Sequence, residues 1–510
     1  MRALNVPVHA QRVLWRLLLV HVVQVPSTNC VTSSQRLRSN PSAGTDVGTD
    51  MAGDFSDVQP TLSRGHAILL EKGLQVQAMA FPWTTQTTPG FSVGRFQESN
   101  FTGLSFWEAP YPVDILGNLS SCMQPQWSRF TQDNASLVLT PAELPHLNQM
   151  VNMQYFDEPG GTNGPSPAET ARIAQWLAAQ RKRYPQVISH TDIAGTVSFR
   201  AHSTFVAAAH PDMVLSSWYP WSSDPGMPIV GGSPITLYEK LQIWRQVAIT
   251  AVPTRIPYGV FTQTIRGGGL FRQPSESELR LNLFAAWTLG YTYTCAFLYS
   301  TSGDHALVSA LFDGLGDDHP TESFYQLARA NAMGRTLGPT LVRLLSIDVR
   351  FLPGLHLDRS LIATNPMPGS TGYGPESRML HWDAVGRPAS HVLLNVSAES
   401  VAPTVNSGLR GDVVVGFFAL LAGHGPRNVS THFMILNGLT DRNASADETM
   451  QRVRLEFVED VGTVQRIDRT NGEWETLPTT LRPGGKRELA IILPGGTADL
   501  FRVGPLVRDT

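Results

Sequence analysis

The 510-residue sequence predicts an α/β protein: a (β/α)8 barrel followed by an all-β domain. Two observations predict the barrel. Short apolar runs alternate with helical patterns between residues 62 and 337, and several runs stop abruptly at polar or aromatic residues. A third observation predicts the second domain, because beyond Gly338-Pro339 short runs are separated by Gly, Pro and Asn turns. We expect the barrel over 61–355 and a β-sandwich over 380–510.

The first sixty residues do not follow this alternation. Arg2, Arg12 and Arg16 surround an apolar segment, so residues 1–26 resemble a signal peptide, although Arg16 interrupts the segment and no small-x-small cleavage site follows. Residues 27–60 have no apolar period and are typical of a linker or disordered lead-in. Asn-x-Ser/Thr triplets suit a secreted glycoprotein, which we therefore expect. They begin at Asn100, Asn118, Asn134, Asn395, Asn428 and Asn443.

The barrel begins with a helical pattern from Leu62 that ends at Gly73, and seven predicted strands follow it. The strands are Leu74–Phe81, Thr102–Trp107, Met150–Phe156, Gln186–Thr191, Met213–Trp218, Ile256–Thr262 and Tyr291–Tyr299. An eight-stranded barrel needs one more, and we expect it before residue 74. Either Leu17–Val25 supplies it, which excludes a signal peptide there, or the chain lacks it. A truncated or mis-assembled gene product is therefore a further alternative.

Helical patterns separate these strands, and short strands form the last part of the chain. The helical patterns include Ala168–Arg183, Leu279–Leu289 and Glu322–Leu337, and the later strands include His391–Val396, Gly411–Phe418, Arg452–Phe457 and Leu489–Leu493. Asn471-Gly472 is a hairpin signal between two strands. We expect this domain to serve packing or sugar adhesion rather than chemistry.

Composition excludes several classes of function. With 42% hydrophobic and 16% charged residues the chain is globular, and a net charge of −3 without a basic block argues against nucleic acid. The three cysteines have no zinc or redox spacing, so we expect neither a metal site nor a cofactor. No run reaches the roughly 18 apolar residues needed to span a bilayer.

The run from Val151 to Phe156 ends in Asp157-Glu158-Pro159. Active sites of barrels are built at the carboxyl ends of their strands, so Glu158 is the first candidate for chemistry. The alternative is that Asp157 and Glu158 only cap the next helix or pair with an arginine.

Three stretches resemble the beta-galactosidase-like glycoside hydrolases of the retaining (β/α)8-barrel clan. They are Gly103–Pro112, Tyr155–Gly161 and Pro320–Pro339, and with the C-terminal sandwich the resemblance covers roughly residues 60 to 510. It implies that Glu158, after the fourth strand, is the general acid/base. Asp157 stands where the family has a sugar-binding asparagine, and Gln263 stands near the end of the seventh strand, where the family has its nucleophilic glutamate.

A retaining mechanism needs two carboxyl groups, and the amide of Gln263 cannot replace one. Glu108, Asp192 and Asp304 are the alternatives at other strand ends. We expect Asp192 to be the second catalytic group, at a wider separation that fits an inverting enzyme, although a strand-end aspartate is often a helix cap. We expect Glu108 and Gln263 to contact substrate.

Aromatic residues at strand ends suit a carbohydrate ligand. Trp107, Tyr219 and Trp221 are predicted to stack on sugar faces, and the alternative is that they fill the barrel mouth as core. Two functions therefore compete. The first is a glycosidase that uses Glu158, and the second is a catalytically inactive barrel that binds glycans.

Overall fold

The computed structural model describes residues 62–80, 92–107, 116, 126–131, 138–223, 234–301, 307–354, 380–382, 391–401, 405–421, 431–458 and 461–505. The predicted signal peptide, the linker over 27–60 and the alternative strand Leu17–Val25 lie outside these residues, as do Glu108 and Asp304.

Within the described residues, eight parallel strands form a closed barrel, which confirms the predicted fold class. They are β1 (Gln75–Ala80), β2 (Gly103–Trp107), β3 (Gln126–Thr131), β4 (Met150–Asp157), β5 (Ile188–Ala194), β6 (Val214–Ser217), β7 (Tyr258–Gln263) and β9 (Tyr293–Phe297). The barrel closes where Gln77 of β1 pairs with Cys295 of β9. A two-stranded antiparallel ribbon, β8 (Ile265–Gly267) with β10 (Leu307–Ser309), follows the ends of β7 and β9.

The missing strand was predicted before residue 74, and this prediction was wrong, because β3 supplies it. The run was not recognised because it is polar: Arg129 pairs with Glu143 at 3.2 Å, and the Ser128 hydroxyl donates to Gln77 Oε1 at 2.7 Å. These partners make burial of the polar side chains tolerable. The strand Met150–Asp157 is still the fourth, as the count back from the last strand predicted.

Helices cover the strands. Their bounds are Arg64–Lys72, Val93–Ser99, Pro167–Arg183, Phe199–Ala209, Pro234–Ile249, Glu276–Thr288 and Glu322–Leu341, with 3-10 turns at Leu144–Gln149, Gly161–Asn163 and Val405–Gly408. The first helix ends at Gly73, whose φ of 84° requires glycine, as its sequence pattern predicted. No helix in the described ranges is long and apolar enough to cross a bilayer.

The C-terminal domain is a sandwich of two sheets, antiparallel except where Leu344–Leu352 pairs with Leu380–His381, in the described part of the chain, as predicted. Its strands are β11 (Leu344–Leu352), β12 (Leu380–His381), β13 (Leu393–Ser400), β14 (Val413–Leu420), β15 (His432–Asn437), β16 (Gln451–Phe457), β17 (Val461–Ile467), β18 (Trp474–Leu477), β19 (Thr480–Leu481), β20 (Arg487–Leu493) and β21 (Ala498–Pro505). The order is β12-β11-β14-β15-β21-β17-β18 in the larger sheet and β13-β16-β20-β19 in the smaller. Strand β11 pairs with β14, so it belongs to the sandwich although the predicted barrel range, 61–355, includes it.

The larger sheet also packs on the barrel, chiefly on the helix Glu276–Thr288, which is buried along its whole length. Close approach depends on glycine: a Cβ on Gly416 would lie 1.8 Å from the Thr288 carbonyl oxygen. The helix starts three residues before the predicted Leu279 because Ser275 and Glu278 form a capping box. The larger sheet thereby supports the barrel from outside.

Candidate active site

The carboxyl end of β4 has an irregular backbone. Phe156 and Glu158 have φ values of 70° and 46°, in the left-handed region that non-glycine residues seldom adopt. The pairing with β5 shifts register between Gln154 and Asp157, which brings Asp157 opposite Asp192. The Glu158 amide then donates to the Asp192 carbonyl oxygen at 3.1 Å. This distortion fixes Glu158 against the neighbouring strand.

The Glu158 carboxylate is partly exposed and is held by a side chain from β6. The Ser217 hydroxyl donates to Glu158 Oε1 at 2.7 Å. Glu158 does not cap the next helix, since Ser166 caps Pro167–Arg183 and forms a capping box with Glu169. The helix-capping alternative is therefore excluded for this helix.

Asp192 is the second carboxyl group of the site, and its side chain is almost fully buried, with 2% of the residue exposed. Burial raises the pKa of Asp192 well above its usual range, and the negative charges of Glu158 and Asp157 raise it further. Hydrogen bonds from Ser217 and from the Ile193 backbone oppose this rise. Asp192 Oδ1 has no hydrogen-bond partner within the described residues. The site therefore favours a protonated Asp192 beside Glu158.

A polar layer fills the barrel directly beneath this cluster. His190 Nε2 lies 3.0 Å from Asn152 Oδ1, and the Tyr293 hydroxyl donates to Gln77 Oε1 at 3.2 Å. Burial lowers the pKa of His190 to about 3, so this imidazole stays neutral, and burial raises the pKa of Cys295. Barrel interiors are usually filled by branched apolar residues, so this polar layer is a distinctive feature of the present interior.

The three aromatic residues predicted to contact sugar differ in their surroundings. The Tyr219 ring stacks on Phe297 with ring centres 5.5 Å apart, and burial, followed by the charges of Asp192 and Glu158, raises its pKa well above the usual range. Tyr219 therefore lies beside the carboxyl cluster. Trp221 is fully buried, with the Arg272 guanidinium 5.7 Å from its ring centre. Trp107 is the last residue of β2.

Gln263 ends β7 and is fully buried. Its amide oxygen accepts from the Trp221 N–H at 2.8 Å. Its amide nitrogen donates to the carbonyl oxygens of Trp221, Arg272 and Ile265 at 3.0, 3.1 and 3.3 Å. The side chain thus ties three backbone segments together beside the barrel mouth.

The structure brings Asp157, Glu158, Asp192 and Tyr219 together. The sequence interpretation missed Ser217, although it is the last residue of β6 and barrel active sites lie at the carboxyl ends of strands. Among the described residues, no group of three or more His, Cys, Asp and Glu side chains is arranged to hold a metal ion.

No family model and no curated protein matches the sequence. Among solved structures, Saccharomyces cerevisiae Gas2p in complex with laminaritriose and laminaritetraose is 11% identical, over 51% of this chain and 64% of that one, with a TM-score of 0.32. An endo-β-1,3-glucanase from Sorangium cellulosum is 12% identical, over 49% and 98%, with a TM-score of 0.33. An α-L-arabinofuranosidase from Thermotoga maritima is 8% identical, over 85% and 96%, with a TM-score of 0.38.

The chain thus spans less than two thirds of the length of Gas2p. At these TM-scores the likenesses carry no argument about activity, and the function of the chain has to be argued from the site itself.

Proposed function

We propose that this barrel is a carbohydrate-active hydrolase that cleaves O-glycosidic bonds, with Glu158 as its general acid/base. The observation that carries the proposal is the carboxyl pair near the carboxyl ends of β4 and β5, in which a partly exposed Glu158 adjoins the buried Asp192. A glycosidase needs a carboxyl group that protonates the leaving oxygen, and a neighbouring charge can raise the pKa of that group. The assignment to a beta-galactosidase-like family remains a prediction.

The two carboxyl groups have different access to a ligand. Glu158 is the more exposed member, so it is placed to protonate the glycosidic oxygen as its bond to the anomeric carbon breaks, and then to accept a proton from the water that bonds to that carbon in its place. Asp192 is too buried to touch a sugar, and we assign it control of the protonation of Glu158 instead of direct contact with substrate. We propose that Asp157, Trp107, Glu108 and Tyr219 contact the sugar, whereas burial favours a structural role for Trp221 and Gln263.

The second candidate function is a catalytically inactive, glycan-binding barrel. The observation that favours it is Gln263, because β7 ends in a buried amide where a retaining enzyme of this kind requires a carboxylate. The polar strand ends and Tyr219 suit a binder as well as an enzyme.

Hydrolysis of a panel of aryl glycosides distinguishes the two functions. We expect the wild type to cleave at least one glycoside, and Glu158→Gln to reduce that rate by about a hundredfold or more. Glu71→Gln is the matched control, because Glu71 lies on the first helix with an exposed side chain. A wild type that cleaves nothing but binds an oligosaccharide in calorimetry would establish the binder.

We also propose that the protein is secreted and glycosylated. Asn395 and Asn443 are exposed, whereas the Asn100 amide donates to the carbonyl oxygens of Glu98 and Ala328. Mass spectrometry of the native protein should find glycans at Asn395 and Asn443 and none at Asn100. Unmodified Asn395 and Asn443 would count against the proposal.

A further inference from the structure

We propose that Ser217 relays a proton between Asp192 and Glu158, so that the buried Asp192 carboxyl protonates the more exposed Glu158 again between turnovers. This inference rests on the proposed function and adds a residue to it. Ser217 is a positioning residue, because it acts through the two carboxyl groups.

The three groups come from three adjacent strands. The Ser217 hydroxyl donates to Glu158 Oε1 at 2.7 Å, and Ser217 is also close enough to the Asp192 carboxyl to affect its pKa. Ser217 therefore lies beside both carboxyl groups. The hydrogen bond from the Glu158 amide to the Asp192 carbonyl fixes β4 against β5, so this chain is preorganised.

Burial makes the hydroxyl the available route for the proton. Ser217 is 7% exposed and Asp192 is 2% exposed, so bulk water has little access to the inner carboxyl. Burial and the two neighbouring carboxylates also favour the protonated form of Asp192, which raises its pKa. A neutral Asp192 can donate to Ser217 Oγ, whose own O–H already points at Glu158.

The relay balances in atoms and charge. The O–H bond of Asp192 breaks as an O–H bond forms on Ser217 Oγ. At the same time the original Ser217 O–H bond breaks, and a new O–H bond forms on Glu158 Oε1. A neutral Asp192 and an ionised Glu158 thus become an ionised Asp192 and a neutral Glu158. When Glu158 later takes a proton from attacking water, the same path returns a proton to Asp192.

The first test is kinetic and compares three variants. Ser217→Ala should lower kcat by about tenfold with little change in KM, the size expected for a lost hydrogen bond to a charged group. Ser217→Thr keeps the hydroxyl and should recover most of that loss. Ser216→Ala is the matched control: Ser216 is the neighbouring buried serine on the opposite face of the strand, and its hydroxyl has no partner among the described residues.

A relay also predicts chemical rescue. Acetate or imidazole in the buffer should restore kcat of Ser217→Ala and leave Ser216→Ala unaffected, because a small acid can supply the proton that the hydroxyl no longer passes. A Ser217→Ala variant with wild-type kcat, or one that small acids do not rescue, overturns the relay while leaving the proposed function standing.

The second test needs no activity. Once the relay has left Asp192 ionised, the Ser217 O–H donates to it and lowers its pKa. Carbon-detected NMR of the carboxyl groups should therefore show the titration of Asp192 at higher pH in Ser217→Ala than in the wild type or Ser216→Ala. If the wild type cleaves no glycoside, the proposed function fails. An unchanged Asp192 titration in Ser217→Ala overturns the coupling of the three groups separately.

Discussion

Asp317 allows the sharpest prediction about stability. Its side chain is buried, with 1% of the residue exposed, and it lies beyond the end of β10. Its Oδ2 accepts from the Ser92 N–H at 3.1 Å and from the Tyr299 hydroxyl at 3.3 Å, whereas Oδ1 has no hydrogen-bond partner in the described part of the chain. Burial raises the pKa of Asp317 from 3.8 to about 6, against the opposing effect of these two donors. We predict that Asp317→Asn stabilises the protein at neutral and higher pH.

The magnitude follows from the pKa. A carboxyl group with a raised pKa in the folded state binds its proton more tightly there than in the unfolded chain. The contribution of Asp317 to the free energy of unfolding is therefore constant below pH 3.8. It falls as the pH rises from 3.8 through about 6, and it levels off at higher pH. A pKa that rises from 3.8 to about 6 corresponds to a loss of about 3 kcal/mol in the free energy of unfolding. After screening by solvent, at least about half of this loss should remain. Asparagine cannot ionise, and its amide oxygen can keep both donors at the Oδ2 position.

Urea unfolding of the wild type, Asp317→Asn and the control Asp318→Asn between about pH 4 and pH 8 measures this effect. The free energy of unfolding of Asp317→Asn minus that of the wild type should increase by about 1.5 to 3 kcal/mol across that range. The contributions of the other carboxyl groups cancel in this subtraction. Asp318 is exposed, and its charge is a lesser cause of the raised pKa of Asp317, so its variant should show a much smaller trend. A gain for Asp317→Asn that does not vary with pH would refute the reasoning.

Two further predictions concern the packing and the interior of the barrel. Gly416→Ala places a methyl group 1.8 Å from the Thr288 carbonyl oxygen and should lower the free energy of unfolding by about 2 kcal/mol or more, whereas Gly94→Ala, with nothing within 4 Å, should raise it by up to about 1 kcal/mol. Equal effects of the two substitutions in urea unfolding would contradict the tight docking of the sandwich on the barrel. The His190 imidazole should show no titration in NMR spectra between about pH 5 and pH 8, since burial lowers its pKa to about 3, and a midpoint near 6.5 would contradict its neutral role.

Alternation of strands and helices was sufficient to predict the barrel, but it failed at β3. That strand buries Arg129 and Ser128 against partners that are distant in sequence, Glu143 and Gln77, so its residues have no apolar pattern. The fourth strand was placed correctly because it was counted from the end of the barrel, where each strand was recognised from the sequence.

The adjacency of Glu158 and Asp192 followed from their places at the ends of neighbouring strands. The coupling of these two groups could not be predicted in this way, because it depends on a left-handed backbone at Phe156 and Glu158. Only glycine marks such a conformation in a sequence, and neither residue is glycine. Ser217 belongs to no motif, so its role emerges only from the spatial proximity of β4, β5 and β6. Likewise, the hydrogen bonds of Gln263 reach the backbone of Trp221 and Arg272, which a strand pattern cannot reveal.

The leaving-group dependence of hydrolysis tests most directly whether Glu158 is a general acid. We would compare wild type and Glu158→Gln on aryl glycosides whose phenols differ in acidity. A poor leaving group needs the proton, so the variant should lose about a hundredfold or more on weakly acidic phenols and much less on strongly acidic ones. An equal loss on all of them, or a wild type that cleaves none, would contradict the account.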